Sequence, residues 1–354
     1  MAELIDIFNS DAFSALTLTQ GVQRNPFQPS LLGSMNIFTP NPIRTTGVSV
    51  EERTGVLSLI GFSERGAEGA QRSTEKRKMR YFAVPRLMHS DTVTTNELQN
   101  IREFQEGTTG EVVSVLMQLE REVARRLAGP TGLLANVEYT KEYLRLAAVQ
   151  GLVLNPKDGS VLYNWFDEFQ IVQPADVAFS LSAGTANTMR PLCNEIARTI
   201  ARKAQGAFAT GKARIIALCG DAFYDAFVNH PDVIRTFVNW SDARDIREGS
   251  AGAAFGAFEF GGITWINYRG SDDNSTIKIP DDKVKFFPSN APGIFQEVMA
   301  PGESAEFINA PGAPVYVLPI PDRDRRMWWK MEAYAYPLYL CTRPEVLLTG
   351  KAGA

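Results

Sequence analysis

The sequence has few of the residues that most enzymes work with. It holds two histidines, His89 and His230, and three widely spaced cysteines, Cys193, Cys219 and Cys341. A Ser-His-Asp or Cys-His arrangement needs a histidine, and neither one here sits in a nucleophile motif. His230-Pro231 reads instead as the end of a helix followed by a stop. An odd number of distant cysteines argues against a disulfide framework and fits a reducing cytoplasm. Cys-x-x-Cys and His-x-x-x-His pairs are absent, so no zinc site is legible. Asp272-Asp-Asn-Ser275 and Asp281-Asp282 lack the ligand spacing of a calcium loop and read as solvated turns. Gly249-Ser-Ala-Gly-Ala-Ala-Phe-Gly256 lacks the Gly-Lys-Ser/Thr ending of a phosphate loop. No catalytic residue, cofactor or metal ion is expected.

Two further absences narrow the class. No apolar run approaches the roughly 18 residues of a membrane span, and the start, Met-Ala-Glu-Leu-Ile-Asp-Ile-Phe, carries acids where a signal peptide is basic. There is no excess of positive charge either. Lys and Arg number 36 against 40 Asp and Glu, a net charge of −4. A chain that wraps nucleic acid normally shows a basic domain or stripe, so sequence-specific nucleic-acid binding is not expected, and neither is a membrane. The chain does have 354 residues, 44% hydrophobic and 21% charged. That describes a soluble globular protein larger than one compact unit usually is.

The stretch from Gly47 to Leu87 is the most informative. Gly47 to Ile60 and Met79 to Leu87 read as two strands that share no tight turn, with a charged, Gly-bearing tip from Ser63 to Lys78 between them. A lone two-stranded ribbon is marginal in water, and its open edges invite pairing with another chain. The ribbon therefore points to assembly before catalysis. Its tip carries Arg65, Arg72, Lys76, Arg77, Lys78 and Arg80 against Glu64, Glu68 and Glu75. On an acidic protein this bias reads as docking on an acidic patch of a neighbouring subunit, with a solvated loop as the plainer alternative. Upstream, Pro26, Pro29, Pro40 and Pro42 block helix and central strand alike. Phe27, Leu31, Leu32, Ile37 and Phe38 are too many apolar residues for a free tail. Residues 1–46 thus read as an extended arm lying on something else. Phe27, Leu31 and Phe38 join Arg65, Arg72, Lys76, Arg77 and Lys78 as candidate inter-subunit contacts.

Beyond the ribbon, hydroxyl and carboxylate N-caps between His89 and Asn96 precede a helix at Leu98. The clearest helix is expected over about Gly110 to Ala128, with Val112, Val115, Leu116, Leu119, Val123 and Leu127 on one face. A second is expected over about Glu138 to Val149. Asp158-Gly159 between two apolar runs signals a hairpin over Gly151 to Tyr163. A helix over about Met189 to Ala209, a buried strand at Arg214 to Cys219 and a helix from Ala222 with Asp221 as N-cap follow. Paired strands are expected around Gly261-Gly262, short strands in the Pro/Gly-rich stretch 280–321, and one long aromatic strand from Met327 to Cys341.

This order of parts resembles the lambda-type major capsid protein E family of tailed bacteriophages. The resemblance runs over nearly the whole chain. It is carried by Phe82-Ala-Val-Pro-Arg-Leu-Met-His-Ser-Asp91, Asn96-Glu-Leu-Gln-Asn-Ile-Arg102, Gly151-Leu-Val-Leu with Asp158-Gly-Ser-Val-Leu162, and Ala217-Leu-Cys-Gly-Asp-Ala-Phe-Tyr-Asp225. It continues in Phe258-Glu-Phe-Gly-Gly-Ile-Thr-Trp-Ile-Asn-Tyr-Arg-Gly270, Phe307-Ile-Asn-Ala-Pro-Gly-Ala-Pro-Val-Tyr316 and Pro337-Leu-Tyr-Leu-Cys-Thr-Arg-Pro-Glu345. The resemblance implies an α+β, Hong Kong 97-type capsid fold. Residues 1–46 would be the N-terminal arm, 47–88 the extended loop, 89–186 a peripheral domain with its spine helix and hairpin, 187–325 an axial domain, and 326–354 a strand returning to the peripheral domain. It implies a subunit that assembles with itself as pentamers and hexamers, in the host bacterial cytoplasm, into a virion shell around double-stranded DNA. A separate scaffolding protein and a portal are the implied partners; the presence of a decoration protein is left open. A cellular nanocompartment shell of the same fold and an α/β enzyme with an accessory arm are the competing readings.

Overall fold

Among the described residues, three sheets and two pairs of strands carry the fold. The computed structural model describes residues 27–54, 76–100, 115–184, 187–208, 213–238, 256–271, 276–322, 324–325 and 327–353. The largest sheet has six strands in the order Val177–Ala178, Leu348–Lys351, Lys283–Ser289, Arg214–Cys219, Ile263–Asn267, Ala257–Phe260. Arg214–Cys219 is where the sequence places it and is buried from Ile215 onward. Its unbroken apolar run suits a strand covered on both faces. Gly261 and Gly262, at φ 61° and 76°, join the last two strands of the sheet directly. Both central residues of such a tight hairpin need positive φ, which glycine adopts without steric cost.

The helices beside this sheet are held by borrowed caps. Met189–Lys203 has no cap from Thr188. Instead the Asp232 carboxylate accepts the backbone N–H groups of Asn187, Thr188 and Met189 at 2.6, 2.9 and 3.2 Å. Asp221 proves to be the first residue of the helix Asp221–Val228, with Gly220 at the cap, where its carboxylate still favours the helix dipole. Pro231 does not act as a stop. It opens the next helix, Pro231–Val238, because its missing N–H is not needed in a first turn. His230, at the junction, is buried and accepts the Asp232 N–H on Nδ1 at 3.3 Å.

The second sheet, Tyr316–Pro321, Trp328–Ala335 and Leu87–Thr94, is antiparallel. Leu87–Thr94 reads from sequence as caps and loop. Its polar residues pair as a strand because Trp328–Ala335 supplies the partner. Thr94 and Glu97 then form a capping box: the Thr94 hydroxyl accepts from Glu97 N at 3.3 Å, and the Glu97 carboxylate accepts from Thr94 N at 3.4 Å. This opens the helix Thr95–Asn100, earlier than Leu98. One face of the sheet meets the helices Val115–Ala128 and Leu133–Val149, with Val93, Met331, Ala333 and Ala335 packed on Leu133, Val137, Val123 and Leu127. Val123 and Leu127 thus sit as their spacing predicts. The other four members of that stripe, Val112 to Leu119, lie outside the described side chains. Leu133–Val149 begins at Leu133 and not Glu138, because Gly132 in an extended conformation provides the turn after Gly129-Pro130.

The long strand expected from Met327 to Cys341 is two strands. It breaks at Tyr336, and Pro337–Cys341 enters a third sheet beside Phe295–Met299, whose other neighbour is the arm strand Thr39–Pro42. The C-terminal Leu348–Lys351 then joins the six-stranded sheet, beside Lys283–Ser289. A single apolar cluster runs from Leu32 and Phe38 through Leu144 and Trp165 to Phe286 and Leu348.

Helix Val115–Ala128 is fastened to the second sheet by charge. The Arg126 guanidinium pairs with Glu122 at 2.6 Å, Glu97 at 2.8 Å and Asp91 at 3.4 Å, and donates to Thr92 O at 3.0 Å. Hydrogen bonds from Arg125 hold Glu122 down at about 2, with burial opposing and Arg126 adding to the effect. A depressed carboxylate contributes stability above its unfolded pKa and loses it as pH falls toward the folded value. Between pH 5 and pH 3 the subunit is expected to lose about 1–2 kcal/mol from this group, after allowance for screening at the exposed Arg125. Urea midpoints of parent and Glu122→Gln at the two pH values check this: the pH dependence of the parent should exceed that of the variant.

Candidate assembly interface

The ribbon forms from Gly47–Thr54 and Lys76–Ala83 in antiparallel register, Gly47 opposite Ala83 and Thr54 opposite Lys76. Alternation gives it two unlike faces. Val48, Val50, Phe82 and Arg80 share one face, which packs on the chain's own body. Phe82 is 2% exposed and makes edge contacts with Tyr163 and Trp165 at 5.5 and 5.2 Å. Each such pair adds about 0.5–1.5 kcal/mol beyond the buried area. Arg80 lies over the Phe169 ring at 5.0 Å and pairs with Glu52. The Tyr163 hydroxyl closes the root, accepting from Ala83 N at 3.1 Å and donating to Ala83 O at 3.2 Å.

The hairpin behind it, Leu152–Leu154 and Val161–Asn164, is antiparallel as expected. Its connection is longer than a two-residue turn, with Asp158 holding Ser160 and Asn155 holding Lys157 across the loop. Asn164 caps the short helix Trp165–Glu168, which presents Trp165 and Phe169 to the ribbon.

The other face of the ribbon has no cover among the described residues. Met79 and Tyr81 point outward and are 73% and 63% exposed, opposite Glu51 and Ser49. They are among the most exposed large apolar side chains described, and they lie on one face of one strand. The sequence reading selected the basic residues and passed over this pair. The signal was the alternation within Lys76–Ala83 once Phe82 is assigned inward.

The predicted contact residues divide. Arg65 and Arg72 lie outside the described residues, and only the backbone of Lys76 is described. Arg77 pairs with Glu51 at 3.6 Å and Lys78 donates to Gln170 at 2.7 Å, both within the same chain. Phe27 is 38% exposed, and its ring lies 3.7 Å beneath the Arg269 guanidinium. Leu31 is half-buried. Phe38 is a correction: it is buried against Phe295 and Tyr339, at 5.3 and 4.9 Å, within its own subunit. The segment from Leu31 to Pro42 therefore lies on its own body. The cause is the Glu142 carboxylate of helix Leu133–Val149, which accepts the N–H groups of Leu32 and Gly33 at 2.8 and 3.1 Å and pins the turn Leu31–Ser34.

The thiols are placed for packing. Cys193, Cys219 and Cys341 are all buried, and burial pushes Cys193 and Cys341 up to about 12. Thiols held protonated in this way are poor nucleophiles. Among the described residues no group of three or more His, Cys, Asp or Glu side chains is gathered as a metal site, and no helix is long and apolar enough to cross a membrane.

A family model described as phage major capsid protein E matches residues 14–352. The "Major capsid protein" of Salmonella phage Felix O1 is 22% identical over an alignment of 370 positions, covering 97% of each chain. Among solved structures, the putative capsid protein of a prophage of E. coli CFT073 superposes with a TM-score of 0.55 at 11% identity, over 95% of this chain and 96% of that one. The capsid protein of cyanophage P-SCSP1u does so with 0.55 at 10% identity, over 94% and 91%. The arrangement of sheets, ribbon and helices is thus the α+β, Hong Kong 97-type capsid fold.

Proposed function

Since the chain belongs to the phage major capsid protein E family, we propose that each subunit lays the outward face of its ribbon on a neighbour and that this contact organises the shell. The protein is a structural subunit of the phage head, not an enzyme, and it assembles with itself. The observation that carries the proposal is the two-faced ribbon: one side fixed to its own body by Phe82, the other presenting Met79 and Tyr81 to solvent. Within this reading, 47–88 is the extended loop, 89–186 the peripheral domain and 187–325 the axial domain, with the final strands divided between them. Subunits group as pentamers and hexamers in the host cytoplasm. A separate scaffolding protein and a portal complete the head. The buried, reduced thiols accord with assembly in a reducing compartment.

Negative-stain images and light scattering of the purified protein test this reading. Closed particles or ring-shaped capsomers are expected. A protein that stays monomeric at high concentration, with the ribbon fully protected in hydrogen exchange, would contradict it.

A further inference from the structure

The two ends of the six-stranded sheet carry charge of opposite sign. Arg214 opens the strand Arg214–Cys219, and a groove of about 520 Å³ runs past it, lined by Arg198, Arg214, Glu259, Ala201 and Phe208. Arg198 and Arg202 stand one turn apart on the helix Met189–Lys203, whose last residue adds a further cation. Arg198, Arg202, Lys203 and Arg214 are all exposed. Arg214 pairs with Glu259 at 3.6 Å, both side chains being open to solvent. Arg198, Arg202 and Lys203 make no ion pair among the described residues, although Glu195 lies on the same helix. At the far end of the strand the sign reverses. The chain passes through Gly220 into the helix Asp221–Val228, which holds Asp221 and Asp225 one turn apart. Phe223 N donates to Asp281 O at 2.8 Å and draws Asp281-Asp282 against the start of this helix. Phe223 and Phe227 fix its inner side on Trp265, which leaves Asp221 and Asp225 exposed, as are Asp281 and Asp282. A second groove, of about 540 Å³, opens here with Asp281, Asp282 and Lys278 on its wall. None of the four carboxylates makes an ion pair among the described residues.

Like charges one turn apart on a helix are unfavourable, and the arrangement occurs twice, at Arg198/Arg202 and at Asp221/Asp225. The two patches do not relieve each other within one subunit. The strand between them spans about 20 Å, at a rise of about 3.3 Å per residue. A second copy of the chain brings one against the other. A body that is basic at one end and acidic at the other joins head to tail, and head-to-tail contacts close into rings. Opposed patches of this kind steer encounter and fix register more than they add raw affinity, which suits a contact repeated around a ring. We propose that the basic end of the six-stranded sheet, Arg198, Arg202 and Arg214, docks on the acidic end of the same sheet, Asp221, Asp225 and Asp282, in the next copy of the chain. The inference rests on the reading that the chain assembles with itself, and it adds a contact distinct from the ribbon.

Charge reversal in the full-length protein tests this, with assembly followed by light scattering and negative stain. Arg198→Glu/Arg202→Glu and Asp225→Lys/Asp282→Lys each set like charges against each other across the contact. Each should raise the concentration needed for assembly about 10-fold or more. The four changes combined in one chain restore opposite signs and should bring that concentration back to within about 3-fold of the parent. The changed side chains are exposed and make no ion pair among the described residues, so every variant should melt as the parent does. The proposal is overturned if either reversal assembles like the parent, or if a reversal variant melts several degrees lower, which would place its partners inside its own subunit. It is also overturned if the combined variant stays as defective as its components. In that case, binding of a short DNA duplex to the parent and not to Arg198→Glu/Arg202→Glu would assign the basic end to phosphates. These outcomes leave the ribbon contact standing, whereas a parent that forms no particles removes the assembly reading itself.

Discussion

Replacing Glu142 with alanine is expected to lower the unfolding free energy of the subunit by about 3–5 kcal/mol, the range for breaking a buried charge pair by removing one partner. Glu142 is fully buried and serves three elements at once. It accepts Leu32 N and Gly33 N from the segment Leu31–Ser34, accepts the Tyr268 hydroxyl at 3.3 Å from just past the strand Ile263–Asn267, and lies 3.6 Å from Arg145 on its own helix. Alanine leaves two backbone donors and a hydroxyl without an acceptor, at about 1–3 kcal/mol for each group left unsatisfied. Arg145 keeps Glu138 at 3.6 Å and its stack on Tyr339 at 5.5 Å, so the loss stays short of a full uncompensated charge. Urea denaturation and hydrogen exchange at Leu32 and Gly33 measure it. Wild-type protection of those two amides in Glu142→Ala would mean that the arm is held by Phe38 alone.

The same residue sets a pH slope opposite to that of Glu122. Burial raises the Glu142 pKa, with the Leu32 and Gly33 N–H groups and Arg145 opposing. A raised carboxylate stabilises the fold below its unfolded pKa and loses that contribution as pH rises through the folded one. Glu142→Gln removes this slope while keeping one acceptor, and should cost less than alanine.

Local and long-range contributions to the fold were unequally legible in the sequence. Local signals survived: the unbroken apolar run of Arg214–Cys219, the Gly261-Gly262 turn, and the Val123 and Leu127 stripe. Each of these is decided by neighbours within a few residues. Strands Lys283–Ser289 and Phe295–Met299 were obscured by proline and glycine around them. Pro288 is tolerated because pairing with Leu348–Lys351 ends at Phe286, so the strand is an edge by that point. The Glu142 anchor was not legible, since its partners Leu32 and Gly33 are about a hundred residues away in sequence. For the same reason Phe38 read as a contact for a neighbour when it belongs to its own core.

The ribbon face gives the largest expected effect on assembly. In Met79→Ser/Tyr81→Ser both side chains are outside the core, so subunit stability should stay within about 0.5 kcal/mol of the parent. Tyrosine is among the residues that dominate interfaces, with hot spots costing 2 kcal/mol or more on truncation. A loss of about 2 kcal/mol per contact is about a 30-fold weaker association, repeated at every subunit, so particles should not form at concentrations where the parent assembles. The basic set, Arg72→Ser, Lys76→Ser, Arg77→Ser and Lys78→Ser, should behave differently. Arg77 and Lys78 already have partners in their own chain, Glu51 and Gln170, and exposed ion pairs contribute about 0–1 kcal/mol each. Its particles should form and differ from the parent mainly in salt resistance, as the screening length of about 8 Å at physiological salt requires. Light scattering across a salt series separates the two. Parental particle yield from the Met79/Tyr81 variant, together with failure of the basic variant, would move the contact from the ribbon face to its tip.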